Sequence, residues 1–371
     1  MARTICIFSD GTGQRGVRIE DGATNIFRLY EWARKIPDQV CFYDPGVGTE
    51  PGKGLDWATW ARNLLDKSTG LGITRNIHEC YDFLVRNWTD DARIAVFGFS
   101  RGAYTVRSLA SAVMLCGIPG REQDGLDIGG DTPAAKTLRG KLLDEAIAIY
   151  QTHYGPRGAE ERRAKARAYR RRYACRDATV HVVGVFDTVA ALGLPGIVNL
   201  FNPLRHRFHD AKLNPLIPFG FQALAVDEDR RIFAPVPWDE DERYPAQTID
   251  QVWFPGSHSD VGGGYEDRAL SDLALAWMID RCAQPDVGIG FEPGAYHFAA
   301  SVTGREHDER TGWGRLWLKR YRSGFVLKLH HDRDRLCDDI ERRFEGHQPR
   351  YRPQALRDHP RVADYYSDPI P

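Results

Sequence analysis

The chain has 371 residues, of which 42% are hydrophobic and 11% aromatic, so it can bury a sizeable core and global disorder is excluded. Its 50 Lys and Arg residues balance 51 Asp and Glu residues, and a net charge of −1 argues against a dedicated nucleic-acid-binding protein. The seven cysteines include no Cys-x-x-Cys pair, so neither a disulfide framework nor a cysteine zinc site is expected. We expect no cofactor and no bound metal.

The N-terminus carries neither the apolar segment nor the cleavage site of a signal peptide. No stretch reaches the ~18 apolar residues that span a bilayer, since the best candidate, 103–118, contains Arg107. We therefore expect a cytoplasmic protein, for which export by a specialised secretion system stays open. The oligomeric state is left open as well.

Short β-branched or aromatic segments alternate with longer helical segments along the chain. The predicted strands are 4–9, 39–43, 92–97, 180–186 and 251–254. The predicted helices are 24–36, 76–88, 103–114 and 271–282, the first with Thr24 or Asn25 as its N-cap. Continuous apolar strands that alternate with helices favour an α/β fold, with a mostly parallel sheet covered on both faces.

The segment Gly98-Phe99-Ser100-Arg101-Gly102 matches the pattern G-x-S-x-G and lies between a predicted strand and a predicted helix. In this setting the flanking glycines permit a tight turn that pushes the serine hydroxyl into a cleft, as in a nucleophile elbow. A short pattern also occurs by chance, so the prediction depends on the strand–turn–helix context. The alternative is an ordinary turn in which Ser100 caps the helix.

A serine hydroxyl is a weak nucleophile and needs a base that is held by an acid. Asp187 follows the predicted strand 180–186, at the edge where open α/β sheets place ligands, although it could instead cap the segment after it. His258 lies in a loop with Pro255 and four glycines, which can bend the ring back over that edge. Because the chain order Ser, acid, His is that of α/β hydrolases, we predict Ser100, Asp187 and His258 as a catalytic triad.

Asp260 competes with Asp187 as the acid of this triad. It lies two residues from His258 in the same tight loop, which is poor geometry for reaching the ring Nδ1 atom. We therefore assign Asp260 to bracing the loop through hydrogen bonds to backbone N–H groups.

An oxyanion hole requires the backbone N–H that follows the nucleophile, which belongs to Arg101, and a second donor from a neighbouring strand-end loop. The turn that begins at Asp10, after the first strand, is the best available source of that donor. Gly11 or Thr12 would supply the N–H group, and a plain tight turn is the alternative interpretation.

Six segments carry a family resemblance: FSDGT at 8–12, TNI at 24–26, GFSRGAYTVR at 98–107, GVFDTV at 184–189, ALAVDE at 223–228 and FPGSHSDVGGGY at 254–265. Over roughly residues 3–282 the chain resembles the bacterial and fungal α/β-hydrolase family that includes the catalytic domain of type VI secretion phospholipase effectors. The resemblance implies esterase or phospholipase A activity on ester or phospholipid substrates. It also implies that Ser100, Asp187 and His258 occupy the triad motifs, and it favours Asp187 over Asp260.

Other enzyme classes fit less well. A haloacid-dehalogenase-type phosphatase would need its nucleophilic Asp at position 8, which is Phe8, and no G-x-x-x-x-G-K-[ST] motif of a P-loop NTPase is present. The residues available to a metal hydrolase lack the His-Glu-x-x-His pattern: His206, His209 and Asp210, and His330 and His331.

The segment Arg157–Arg176 contains nine basic and two acidic residues, a local charge of +7. It predicts an exposed helix, and a non-enzymatic module that binds an anionic lipid surface or RNA is the alternative from a different functional class. A weak contact with an anionic surface stays open, whereas we expect no nucleic-acid partner. A charge run is more often a solvated helix face.

We expect one α/β-hydrolase domain over residues 1–371, with a core at about 3–292, insertions at about 119–176 and 192–248, and a less regular extension at 293–371. The expected reaction is hydrolysis of a carboxylic ester through an acyl-enzyme. Acyl transfer to another acceptor on the same triad is the alternative reaction.

Overall fold

The computed structural model describes residues 3–11, 22–46, 70–152, 156–189, 212–240, 244–294, 296–308, 310, 319–323, 336–346 and 351–367. Its centre is a six-stranded sheet in the spatial order β2-β1-β3-β6-β7-β8, in which every neighbouring pair is parallel. These strands are β1 (Thr4–Ser9), β2 (Gln39–Asp44), β3 (Arg93–Phe99), β6 (Val180–Phe186), β7 (Phe219–Ala225) and β8 (Thr248–Phe254). A small antiparallel pair joins β4 (Glu122–Gln123) and β5 (Leu126–Asp127).

Among the described residues, five helices lie between strands along the chain, and three more follow the last strand. They are α1 (Asn25–Ala33), α2 (Gly70–Asn87), α3 (Arg101–Cys116), α4 (Pro133–Tyr150), α5 (Pro156–Arg172), α6 (His258–Gly262), α7 (Ser271–Ala283) and α8 (Asp338–Glu345). Thr24 caps α1, as predicted, by accepting a hydrogen bond of 3.1 Å from the backbone N–H of Phe27. Within the ranges given above, none of the helices combines the length and hydropathy needed to cross a bilayer.

Both faces of the sheet are covered, because alternate residues of its strands face opposite sides. In β1, Ile5 and Ile7 belong to an apolar cluster with α2, α3 and α4, whereas Cys6 and Phe8 belong to a second cluster with α1 and α7. The chain therefore has an α/β fold with a parallel central sheet flanked by helices, which is the predicted class.

The strand β7 corrects the predicted boundaries. It lies inside the range 192–248 that is predicted above as an insertion, yet it pairs with β6 and β8 in the central sheet. Its sequence FGFQALA mixes two Phe, which favour strands, with Gly and two Ala, which do not, so the local pattern does not single it out as a strand. A Cβ at Gly220 would lie 2.5 Å from the far end of the Leu213 side chain, so Leu213 would have to move for a larger residue. Gln222 is buried and donates to Val236 O at 3.2 Å.

The C-terminal segments cover the β8 side of the sheet. Leu336 forms an isolated parallel bridge with Trp253, and the next backbone N–H, of Cys337, donates to Trp253 O at 3.0 Å. A third apolar cluster joins residues of β7 and β8 to α8, including Leu224, Trp253 and Ile340. Much of the described part of the predicted extension 293–371 is thus packed against the sheet.

Candidate active site

Ser100 is the single residue between β3 and α3. Its backbone has φ 57° and ψ −119°, a conformation that non-glycine residues rarely adopt and that is found where function requires it. Its N–H donates to Phe186 O at 3.1 Å, and its side chain makes no capping hydrogen bond to α3. The helix-cap interpretation of Ser100 is therefore wrong, and the strand–turn–helix context of the motif is present.

The two motif glycines allow the turn to pack against its neighbours. A Cβ at Gly98 would lie 2.5 Å from Gly102 O, inside the turn itself. A Cβ at Gly102 would lie 2.0 Å from Ser9 O and 2.6 Å from Asp10 O. No side chain fits at these distances, so the turn that carries Ser100 lies directly against the end of β1.

We expect Gly102→Ala to lower the free energy of unfolding by about 1–3 kcal/mol or more, because the new methyl group must displace the backbone of Ser9. Urea unfolding measures the change. Gly140→Ala is the matched control, since a Cβ there meets only the far end of His78 at 3.9 Å and alanine favours the helix α4. Equal effects of the two substitutions would contradict the packing argument.

Asp187 and His258 lie in direct contact. Asp187 follows β6, which pairs with β3, and has a positive φ of 37°. Its Oδ2 atom lies 2.6 Å from Nδ1 of His258, and its Oδ1 atom accepts from the N–H of Ala225 at 3.0 Å. Both side chains are buried. Since the carboxylate bonds across the sheet edge, the alternative of a cap for the following segment does not hold.

The other nitrogen of the His258 ring, Nε2, is buried and has no hydrogen-bond partner, so Ser100 and His258 are not hydrogen-bonded in this structure. The ring centroid lies 4.6 Å from that of Phe99, the residue before Ser100, and 4.9 Å from that of Phe233. Catalytic hydrogen bonds often shorten only when substrate binds. Asp187 and His258 are thus hydrogen-bonded to each other. Ser100 directly follows Phe99, whose ring contacts that of His258.

Arg322 is a component of the site that the sequence analysis missed. Its Nη1 and Nη2 atoms lie 2.6 and 3.0 Å from the two carboxylate oxygens of Asp187. The same guanidinium donates to Ala225 O and Phe233 O, both at 2.6 Å, and it is buried. Burial by itself raises the pKa of Asp187, but Arg322 and His258 more than offset this and hold the pKa below its ordinary value.

Asp260 forms no hydrogen bond with the His258 ring, whose Nδ1 atom pairs with Asp187 and whose Nε2 atom has no partner. Its Oδ2 atom accepts from the N–H and Oγ of Ser257 at 2.9 and 3.0 Å, in a capping box that begins the short helix α6. His307 donates to it from its backbone N–H at 3.0 Å, and the Nδ1 atom of His307 lies 2.7 Å from Oδ1. These contacts are of the bracing kind that the sequence suggested for Asp260, with His307 as an additional partner.

The predicted oxyanion donors differ in their surroundings. The N–H of Arg101 belongs to the first turn of α3, where backbone N–H groups lack partners within the helix. The N–H of Gly11 donates to the carboxylate of Asp10 at 2.7 Å, so Gly11 is a poorer donor than predicted. Thr12 lies outside the described residues.

Asp10 is buried at the end of β1, beside Gly102. Its Oδ2 atom accepts from the hydroxyl groups of Thr24 at 2.5 Å and Tyr43 at 2.8 Å. Burial raises the pKa of Asp10 to about 6, although these hydrogen bonds oppose the shift. The carboxyl group therefore changes charge near pH 6, and its hydrogen bonds join the end of β1 to Thr24 and Tyr43.

We expect Asp10→Asn to flatten the dependence of stability on pH. Because the folded pKa is raised, the contribution of Asp10 to stability is complete below its unfolded pKa of ~3.9 and is lost as the pH rises through about 6. The free energy of unfolding of the unchanged protein should fall by up to about 3 kcal/mol across this window relative to the variant. If the free energies of unfolding of the two proteins, measured with urea, change equally between pH 4 and 8, the assignment is contradicted.

A charged cavity of about 280 Å³ adjoins the His258 loop. Its lining includes Asp227, Glu228, Arg230, Ser257, Glu306 and His307. Burial raises the pKa of Asp227 to about 6 and that of Glu306 to about 8. Because its lining is charged, this cavity is unsuited to an acyl chain. The His258 ring itself has apolar neighbours in the rings of Phe99 and Phe233.

The basic segment forms α5, which buries Ala166 and Tyr169 and exposes most of its charges. Its end lies beside the C-terminal end of α3, where Ile118 bridges Arg176. Ser100 lies at the opposite end of α3, so this end of the segment is at the sheet edge away from the candidate site. Neighbouring carboxylates pair with several of its charges: Lys165 with Glu161, Arg167 with Glu160 and Arg170 with Asp177.

Across the part of the chain that the structure describes, no group of three or more His, Cys, Asp or Glu side chains is arranged to hold a metal ion. The predicted alternative metal ligands lie outside this part: His206, His209, Asp210, His330 and His331.

The chain is similar to two proteins of known sequence or structure. A relative from Saccharomyces cerevisiae, described as uncharacterized protein YEL023C, is 27% identical over 414 residues, which cover 76% of this chain and 57% of the relative. A crystal structure of an uncharacterized protein from Pseudomonas aeruginosa matches 81% of this chain and 48% of its own, with a TM-score of 0.41 and 16% identity. The chain thus spans little more than half of the length of this yeast relative.

The family described as "T6SS, Phospholipase effector Tle1-like, catalytic domain" matches residues 3–281. This range contains the turn at Ser100, the Asp187–His258 contact and all six strands of the central sheet, whereas Arg322 lies beyond it. The chain therefore belongs to the family of Tle1-like phospholipase effector catalytic domains.

Proposed function

We propose that the chain is a serine ester hydrolase with an α/β-hydrolase fold, in which Ser100 is the nucleophile, His258 the base and Asp187 the acid. The observation that carries the proposal is the buried 2.6 Å contact between Asp187 and His258, formed at the strand end next to the Ser100 turn. The unpartnered Nε2 atom of His258 is the atom left to accept the serine proton.

In the first step, the Ser100 Oγ atom bonds to the ester carbonyl carbon and its proton passes to Nε2 of His258. His258 then gives this proton to the leaving alcohol oxygen as the ester bond breaks, which leaves an acyl group on Ser100. In the second step, water bonds to the acyl carbon as His258 Nε2 takes one of its protons. His258 then returns this proton to Ser100 Oγ as the bond to the acyl group breaks and the carboxylic acid leaves. Asp187 keeps Nδ1 as the donor side of the ring and stabilises the imidazolium formed in each half of the reaction.

The tetrahedral intermediate carries its negative charge on the former carbonyl oxygen. We assign the N–H of Arg101 as one donor to this oxygen, since it begins α3 directly after the nucleophile. The second donor is assigned to the turn after Asp10, at Thr12 or at Gly11. Gly11 would first have to release its hydrogen bond to the Asp10 carboxylate.

Arg322 acts as a positioning residue in this proposal. Its two hydrogen bonds fix both oxygens of Asp187, and its charge keeps the carboxylate ionised despite complete burial. Because residues after 292 supply Arg322 and the bridge at Leu336, we treat the whole chain as one domain. Arg322 therefore belongs to the catalytic unit.

The family implies a lipid substrate, and we propose acyl esters of phospholipids. The corresponding proposal for location is synthesis in the cytoplasm followed by export. The test incubates the protein with phosphatidylcholine vesicles and with p-nitrophenyl esters, and identifies released fatty acid by mass spectrometry. We expect fatty acid from the vesicles with the unchanged protein and none with Ser100→Ala. Cleavage of short soluble esters alone would contradict the phospholipid substrate but not the serine mechanism.

A further inference from the structure

We propose that the side chain of Arg101 binds the phosphodiester of a phospholipid substrate while Ser100 attacks the neighbouring ester. This inference rests on the proposed ester hydrolysis and names its substrate class. The two functional parts of Arg101 are distinct, since its backbone N–H is assigned to the oxyanion and its guanidinium to the phosphate.

The guanidinium of Arg101 is buried without a counter-ion. The residue is 6% exposed, and its Nε and Nη2 atoms are buried with no hydrogen-bond partner. Four other buried arginines each form a close ion pair with a carboxylate: Arg28 with Asp272, Arg139 with Asp82, Arg230 with Glu228 and Arg322 with Asp187. Buried Arg107 instead donates to Val236 O and lies over the Trp238 ring. In the ranges that the structure describes, Arg101 has no such pair.

An unpaired buried charge is costly, so a protein keeps one where a ligand supplies the opposite charge. Burial lowers the pKa of Arg101 to about 10, which leaves the side chain protonated at neutral pH. Arg101 is also the first residue of α3, a helix of 16 residues whose N-terminal N–H groups and dipole favour an anion. Two independent features beside the nucleophile thus favour the same kind of ligand.

A phosphodiester fits this position better than other anions that an ester could bring. Guanidinium binds phosphate oxygens through two parallel hydrogen bonds. In a glycerophospholipid, the phosphate is joined to the scissile ester by a short glycerol linker, so it stays close to Ser100 during the reaction. Neutral acylglycerols and simple esters carry no anion at that distance, and the family implies a lipid substrate.

The first test compares two substrates that differ only in the headgroup: monomeric diheptanoyl-phosphatidylcholine and diheptanoylglycerol. We expect Arg101→Met to lower the ratio of their kcat/KM values by about 10–100-fold, the loss expected when charge-assisted hydrogen bonds are removed. Arg101→Lys should lower the ratio less, because it keeps the charge but loses the planar fork. Any damage to the turn affects both substrates and cancels in the ratio.

Arg34→Met is the matched control, since Arg34 is half-exposed at the end of α1 and pairs with Glu31. It should leave the ratio unchanged. An unchanged ratio in Arg101→Met, with or without a common fall in activity, would overturn the proposal. Ser100→Ala, assayed on both substrates, tests the underlying mechanism separately, because residual turnover in that variant would refute the serine mechanism instead.

The second test needs no turnover and separates the lipid headgroup from free phosphate. Calorimetry measures the binding of glycerophosphocholine and of inorganic phosphate to the Ser100→Ala protein. We expect glycerophosphocholine to bind more tightly than inorganic phosphate, and to lose at least about 10-fold in affinity when Arg101→Met is added. Tighter binding of inorganic phosphate, or binding that does not depend on Arg101, would overturn the assignment.

Discussion

Ser100→Ala should reduce kcat for ester hydrolysis by at least about 10⁴-fold, because it removes the atom that forms the acyl-enzyme. The fold should persist, since the Ser100 side chain makes no capping hydrogen bond that alanine would lose. The backbone conformation at this position is no harder for alanine to adopt than for serine. Steady-state kinetics with a p-nitrophenyl ester measure the activity, and urea unfolding measures the stability of the same preparation.

Ser108→Ala serves as the control for this substitution. Ser108 is also buried on α3, two turns beyond the nucleophile, and plays no part in the proposed reaction. It should keep most of the kcat. More than about 1% residual activity in Ser100→Ala, with unchanged activity in Ser108→Ala, would refute Ser100 as the nucleophile.

The pair formed by Asp187 and Arg322 should show large effects on both activity and stability. Asp187→Asn leaves Arg322 buried without its counter-ion and removes the acid that orients His258. We expect a loss of about 3–5 kcal/mol in the free energy of unfolding and a fall of about 10³–10⁴-fold in kcat. Arg322→Met should cost similar stability, because it leaves the Asp187 charge buried with only His258 beside it.

The double substitution Asp187→Asn, Arg322→Met separates the two effects. It removes both buried charges, so it should be more stable than either single variant while its activity stays low. Urea unfolding and steady-state kinetics of the four proteins complete the cycle. Stability losses that simply add would show that the two side chains do not interact.

The contact between Asp187 and Arg322 also predicts how stability and kcat/KM depend on pH. The folded pKa of Asp187 is lowered, so its contribution to stability is complete above its unfolded pKa of ~3.9 and is lost as the pH falls through the folded value. Arg322→Met removes the charge that lowers this pKa while burial still raises it. The acid limb of kcat/KM should therefore move to higher pH, and an unmoved limb would contradict a positioning role for Arg322.

Local patterns explain how much of the fold could be predicted. The strands Thr4–Ser9 and Val180–Phe186 match their predicted bounds, because each is a continuous apolar run that is buried on both faces. The strand β7 could not be found in this way. Gly220 packs against the Leu213 side chain, and Gln222 donates a hydrogen bond to Val236 O, so contacts outside the strand support residues that its own pattern does not.

The candidate site likewise contains residues that could be predicted from the sequence and one that could not. Asp187 and His258 could be predicted because parallel strands end at one edge of the sheet, where their following residues meet. At the Ser100 turn, glycines interrupt the apolar pattern, and the predicted strand and helix stop short of the observed ends at Phe99 and Arg101. Arg322 lies 135 residues from Asp187 and in no motif, so only the folded structure brings the two together.

The most direct test of the proposed mechanism is covalent labelling with a fluorophosphonate, followed by proteolysis and mass spectrometry. Such probes bond to a serine only when a neighbouring base activates it. The mechanism predicts one phosphonate adduct, on the peptide that contains Ser100, with none in Ser100→Ala and much slower labelling in His258→Ala. An adduct on another residue, or no adduct on an enzyme that cleaves esters, would contradict it.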